Sequence, residues 1–160
     1  MGRIARRIHQ PGVYFVTTDT WQRRPIFAKS GPVQILLEQL VDCRKRGFYR
    51  LHGFVIMPDH LHVLLTPGEE TTLEKALQMM KGGSAFRIRK ELLYKFPVWH
   101  AGFHDRWIRN AGEYRARLGY MEQNPVEAKL CVSAKEYRWG SASGNFVLDA
   151  SAFDGPDFRG

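Results

Sequence analysis

The 160-residue sequence predicts a single α+β domain of the ferredoxin-like, split β-α-β kind. Three observations support this. β-branched and aromatic runs alternate with runs of helical period in the order strand, helix, strand, strand, helix, strand. The two middle strand-like runs are separated only by the turn-forming pair Pro58-Asp59. A chain of this length, with 44% hydrophobic and 25% charged residues, buries one ordinary core without a disulfide or metal staple. Such an order puts helices on one face of an antiparallel sheet and leaves the other face open to a partner.

The elements follow in turn. Residues 13–20 (VYFVTTDT), after the turn signal Pro11-Gly12, have strand composition. Ser30-Gly31-Pro32 opens a helix in which Val33, Leu36, Leu37, Leu40 and Val41 repeat at helical spacing, and Gly47 ends it. Residues 48–57 and 60–66 form a hairpin closed by Pro67-Gly68. Thr71-Thr72-Leu73-Glu74 is a capping box for a second helix, which Gly82-Gly83 weakens midway and Phe96-Pro97 terminates. Residues 98–108 are expected to be extended and 113–123 to form the third helix, with Asn124-Pro125 at its terminus. No strong period follows residue 135. Residues 1–148 read as one domain and 149–160 as a loose acidic C-terminal tail.

Charge narrows the function. The 24 Lys and Arg against 16 Asp and Glu leave a formal net charge of +8, and 16 of the cations are Arg. The planar guanidinium fork suits bidentate phosphate contact, so the excess favours a nucleic-acid partner. No stretch approaches the ~20 apolar residues of a membrane span. The basic N-terminus is followed by no signal-peptide core, so a cytoplasmic protein is expected. Cys43 and Cys131 belong to no Cys-x-x-Cys pair and read as reduced packing residues.

Two constellations could carry chemistry. In His60-Leu61-His62, strand alternation sends Leu61, Val63 and Leu65 to the core and both imidazoles to the open face, the spacing of two nitrogen ligands for one divalent metal. On the third helix Tyr114, Leu118 and Met121 form a packing stripe, while Tyr120 and Asn124, at i and i+4, stand beside it with Arg117 one turn earlier. Each also has an ordinary reading, as solvated histidines and as a tyrosine capping the core. Together, on a basic domain, they compose a phosphodiester site in which a metal polarises phosphate and the phenol attacks it. An aryl phosphate keeps a good leaving group, which suits reversible strand transfer.

The segments YFVTTDTWQRRPIF (14–27), GFVIMPDHLHVLLTP (53–67), LQMMKGGSAFRIRK (77–90), WHAGFHDRWIRN (99–110) and LGYMEQNPVEAKL (118–130) resemble, in order, the REP-associated tyrosine transposases. These are relatives of the single-tyrosine, IS200-like insertion-sequence transposases within the His-hydrophobic-His endonuclease superfamily. The resemblance implies a metal-dependent endonuclease and strand transferase that cuts single-stranded DNA beside a hairpin through a 5′-phosphotyrosine. It implies Tyr120 as nucleophile, on a C-terminal helix, and His60, His62 and Asn124 as metal ligands. Two nitrogens and one hard oxygen suit Mg²⁺ or Mn²⁺. It also implies a site completed within one chain, hence a monomer rather than a dimer. Met121 and Glu122 stand where Ile-His often follows the family tyrosine, and Phe15 where His is frequent.

Arg23, Arg24, Lys81, Arg87, Arg89 and Lys90 are candidates for DNA backbone contact. His104, Arg106 and Arg117 are candidates to line the DNA groove. Two other readings of the chain are a non-catalytic single-stranded nucleic-acid binder on the same sheet and a metal-dependent phosphohydrolase that uses water.

Overall fold

The computed structural model describes residues 10–154, so the basic N-terminal residues and the last six of the expected tail lie outside the described residues. The elements are β1 (Tyr14–Asp19), α1 (Ser30–Lys45), β2 (Tyr49–Met57), β3 (His60–Pro67), α2 (Leu73–Glu91), β4 (His104–Trp107) and α3 (Ala111–Glu127). The four strands form one antiparallel sheet in the order β2-β3-β1-β4, the split β-α-β arrangement expected. The central strands β1 and β3 pair with Thr17 opposite His62 and Asp19 opposite His60. Among the described residues no helix is long and apolar enough to cross a membrane.

One face of the sheet packs under α1 and α2. Leu36 and Leu40 from α1, Leu77 and Met80 from α2, and Leu61, Val63 and Leu65 from β3 are buried in that core. Cys43 lies there too, its thiol pushed up to about 11, chiefly by burial. Expected to weaken α2, Gly82-Gly83 instead lies within an unbroken helix. A side chain at Gly83 would collide with the carboxamide of Gln39, so the glycine lets the two helices approach, and Gln39 Nε2 donates to the Met79 carbonyl at 3.3 Å.

The second face is not fully open. Val13, Phe15, Val55, Met57 and Leu64 form a second core with Ile108, and α3 seats Tyr114 and Met121 in it. This third helix also runs beyond its expected end. Asn124-Pro125 lies inside it, and the turn closes with Ala128 N donating to the Asn124 carbonyl at 3.0 Å and a left-handed Lys129 at φ 61°.

The C-terminal segment, without periodicity, protects the outer edge of β2. Ile56 N donates to the Trp139 carbonyl at 2.8 Å, Tyr137 Oη to the Ile56 carbonyl at 2.6 Å, and Phe54 N to Ser141 Oγ at 2.9 Å. The expectation of a loose tail from residue 149 is corrected for 149–154. Arg44 Nε and Nη2 each donate to the Asp149 carboxylate at 2.8 Å, and Leu51 N does so at 2.8 Å. His52 Nδ1 bonds the Asp149 carbonyl at 2.8 Å, Ser151 is buried, and Phe153 packs on Tyr114. An isolated Asp gives no sequence signal of such a bidentate partner more than a hundred residues away.

The Arg44 guanidinium is the main cause holding the Asp149 carboxyl below its usual range. Its stabilisation is therefore fully present above the unfolded carboxyl value and is lost as pH falls through the depressed folded value. Asp149→Ala is expected to cost about 1–3 kcal/mol at neutral pH. Thermal unfolding of both proteins from neutral pH down to acid should show that difference shrinking on acidification.

Candidate active site

Strand alternation on β3 and the seating of α3 build the site between them. His60, His62 and Leu64 face α3, opposite in phase to the core-facing Leu61 and Val63. Each imidazole is fixed through Nδ1. His60 Nδ1 donates to Asp59 Oδ1 at 2.7 Å, and His62 Nδ1 shares a hydrogen bond of 2.8 Å with Thr17 Oγ1 on the paired strand. Both Nε2 atoms are thus left for other work. The ring centroids lie 4.7 Å apart at 76°.

The third helix supplies the remaining groups. Asn110 caps it, with Oδ1 accepting from Glu113 N at 2.8 Å. Its buried Met121, with Leu118 beside it, lies over Gly53, where a Cβ would stand 2.8 Å from Met121 Cε and 3.3 Å from Leu118 Cδ1. This absence of a side chain brings the helix onto the sheet. Asn124 Oδ1 then sits 3.2 Å from His60 Nε2, and the Tyr120 ring lies 5.7 Å from the His62 ring. Tyr120 is 50% exposed, so its side chain is open to solvent. Phe15 stacks on His62 at 5.3 Å, and the Arg117 guanidinium lies 5.6 Å from the Phe15 centroid.

The donor set fits a divalent cation. His62 Nε2 is buried and has no hydrogen-bond partner. Burial, reinforced by the neighbouring His60, pushes the His62 imidazole down to about 3, which favours the neutral ring; in the tautomer whose Nδ1 donates to Thr17, Nε2 carries the lone pair. Among the described residues no cluster of three His, Cys, Asp or Glu side chains has metal-binding geometry; the hard oxygen beside the pair is Asn124 Oδ1, 3.2 Å from His60 Nε2. Two imidazole nitrogens, one amide oxygen and an orienting group behind each ring suit an open, partly solvated metal site.

Beside Tyr120 lies a cleft of about 310 Å³ lined by Arg106, Arg109, Arg117 and Glu113. Glu113 pairs with Arg106 at 3.6 Å and Arg109 at 3.3 Å, leaving a net positive floor suited to a phosphate chain. β-pairing sets Arg106 opposite Phe15 and His104 opposite Thr17, so both share the face of His62, in the phase the sequence suggested.

Other basic candidates divide differently. Arg23 pairs with Asp19 at 2.9 Å and Asp59 at 3.2 Å. The left-handed backbone at Gln22 and Arg23 (φ 54° and 53°) accompanies that reach back to the His60 turn. Lys81 Nζ donates to the carbonyls of His100 and Gly102, and burial lowers its amine to about 8. Arg87 pairs with Glu38 at 2.9 Å and Glu91 at 2.6 Å. Arg89 and Lys90 are exposed, and Arg24 lies over the rings of Trp21 and Phe96. Sequence reasoning missed Asp59, Thr17 and Phe15 as partners of the histidines. Alternation puts Thr17 on a single face of its strand, but only the β1–β3 register reveals that it meets His62.

Residues 13–111 match the family described as Transposase IS200 like. The chain is 22% identical over 135 residues to a REP-associated tyrosine transposase of Escherichia coli K12, covering 79% of this chain and 74% of the relative. Its fold is similar to that of a REP-associated tyrosine transposase solved bound to a REP hairpin, with a TM-score of 0.69, 19% identity and coverage of 89% of this chain and 87% of that one. A protein of Deinococcus radiodurans R1 named as a transposase candidate gives a TM-score of 0.54 at 16% identity, over 76% of this chain and 92% of that one.

The contact at Gly53 is testable without any substrate. Gly53→Val is expected to destabilise the fold by about 1–3 kcal/mol through overpacking against Met121. Met121→Ala alone should also destabilise it, and thermal unfolding of the double variant should show less than the sum of the two losses.

Proposed function

The chain belongs to the IS200-like transposase family of DNA-processing enzymes, and we propose that it cleaves and rejoins single-stranded DNA beside a hairpin, with Tyr120 as the nucleophile. The observation that carries this reading is the convergence, within one chain, of an exposed tyrosine, two Nδ1-anchored histidines and a carboxamide beside an Arg-lined cleft. Similarity to a relative solved with a REP hairpin supports hairpin DNA as the substrate.

The scissile phosphate would lie between Tyr120 and the histidines, its neighbours on the strand held by the guanidiniums of Arg106, Arg109 and Arg117. Tyr120 Oη attacks phosphorus and forms the aryl phosphate; the bond to the 3′ oxygen breaks, and the phenol's proton is balanced by the one gained at the 3′-hydroxyl. Attack by a 3′-hydroxyl on the 5′-phosphotyrosine reverses the step or joins a different strand. His60, His62 and Asn124 would hold the divalent cation, Mg²⁺ or Mn²⁺, on which the family generally depends. When bound there it supplies charge neutralisation at the phosphate. Asp59 and Thr17 keep the two rings oriented, and Phe15 excludes water from one side of His62.

Incubation with labelled single-stranded hairpins drawn from DNA flanking the gene, followed by denaturing electrophoresis, tests the reading. Wild type with Mn²⁺ should give a covalent protein–DNA band. Tyr120→Phe should give none while binding the same DNA with nearly unchanged affinity, and chelator should remove the band from wild type. Cleaved DNA without an adduct, surviving Tyr120→Phe, would point to a water-using phosphohydrolase; binding without cleavage would point to a non-catalytic binder. Asp59→Asn should raise the Mn²⁺ concentration for half-maximal adduct formation by about 10–100-fold, the usual size of an orienting-group loss, without moving the unfolding temperature as far as Gly53→Val does.

A further inference from the structure

Among the described residues, four exposed large hydrophobic side chains fall within eleven residues at the end of α2: Phe86 (64% exposed), Leu92 (43%), Leu93 (78%) and Phe96 (44%). Leu93 holds a left-handed backbone at φ 55°, a conformation that non-glycine residues adopt at a cost. Cations interleave with these rings. Phe86, Arg89, Lys90, Tyr94 and Lys95 line a shallow groove of about 650 Å³ whose lining holds three cations and no carboxylate. Lys90 Nζ lies 5.6 Å from the Phe86 centroid. The nearby Glu91 carboxylate is neutralised by Arg87 at 2.6 Å.

From Tyr94, at the edge of the groove, ring contacts lead on. Tyr94 meets Phe96 edge-on at 5.7 Å, Phe96 stacks with Trp21 at 6.2 Å and 19°, and the Arg24 guanidinium lies 4.1 Å from Phe96 and 5.0 Å from Trp21. The buried Thr20 hydroxyl bonds both the Arg24 carbonyl, at 2.8 Å, and the Asp59 carbonyl, at 3.0 Å. The aromatic row therefore begins at the turn that carries His60.

We propose that this row, from Trp21, Arg24 and Phe96 through Tyr94 to Phe86, is a second nucleic-acid subsite that stacks the unpaired bases of the single strand flanking the cleaved phosphate. It rests on the proposed function for the identity of its ligand, single-stranded DNA. Phe86 and Phe96 are exposed and Tyr94 and Trp21 half-buried; aromatic rings stack on bases of any sequence, and interleaved cations follow the phosphates between them, which is the chemistry of single-strand platforms. A purely apolar partner would leave Arg89, Lys90 and Lys95 desolvated without counter-charge. Arg24, Arg89 and Lys90 thereby acquire a DNA role different from that of the cleft around Tyr120.

The test uses Tyr120→Phe protein, so that no cleavage intervenes, and a hairpin from DNA flanking the gene, either blunt or extended by about ten thymidines, within the site size of single-strand binding folds. Fluorescence anisotropy at fixed salt should show the extension tightening binding by about tenfold, comparable to one stacked base. Adding Phe86→Ala and Phe96→Ala should abolish that gain while blunt-hairpin affinity stays the same; both rings are exposed, and an unchanged melting temperature checks the fold. Lys90→Gln with Lys95→Gln should reduce the salt dependence of binding to the extended probe alone. No gain from the extension, a gain that survives loss of both rings, or an equal loss on blunt and extended hairpins would overturn the subsite. The readout is independent of adduct formation, so a failure of the tyrosine mechanism would register separately.

Discussion

The seating of Met121 over Gly53 is the contact on which the site depends. Met121 is fully buried, and full burial of such a side chain contributes roughly 1.5–3 kcal/mol. It is also the residue between Tyr120 and the turn that ends in Asn124, so whatever fixes its depth fixes theirs. A glycine at the irregular pairing step of β2 gives that depth, because any Cβ would meet the helix. On the sheet side, the pairing of β1 with β3 sets Thr17 and the Asp59 turn behind the two imidazoles. Tyr120 and the histidines thus come from two elements that are each held by packing, not by one another.

The chain's positive charge is distributed among distinct tasks. Arg44, Arg87 and Lys81 are spent inside the fold, on Asp149, on Glu38 with Glu91, and on backbone carbonyls. Arg23 steadies the turn of His60 through Asp59. Arg106, Arg109 and Arg117 gather beside Tyr120, and Arg89, Lys90 and Lys95 gather among exposed aromatics. Net charge alone therefore indicates a nucleic-acid partner but not which cations meet it.

Much of this was legible in the residues. Period-2 alternation fixes which way His60 and His62 point, and 3.6-residue periodicity separates the Tyr114, Leu118 and Met121 stripe from Tyr120 and Asn124. What could not be read depends on long-range pairing. Thr17 becomes a histidine partner only in the observed register, and Asp149 becomes structural only because Arg44 lies opposite it. Glycine has a local meaning in sequence, as a breaker, and a different one in packing: Gly83 and Gly53 each mark a close approach by another helix. Asn124-Pro125 misled for a similar reason, since the docked helix continues through the proline after Tyr114 and Met121 have anchored it.

One chain presents both Tyr120 and its own histidine pair, so the account requires that a single copy hold a complete site. Mixing Tyr120→Phe chains with His62→Ala chains, in the presence of hairpin DNA and Mn²⁺ and beside a wild-type control, measures this directly. The account predicts that the mixture forms no covalent DNA adduct while wild type does. An adduct restored by mixing would show that the tyrosine of one chain serves the histidines of another, and would contradict it.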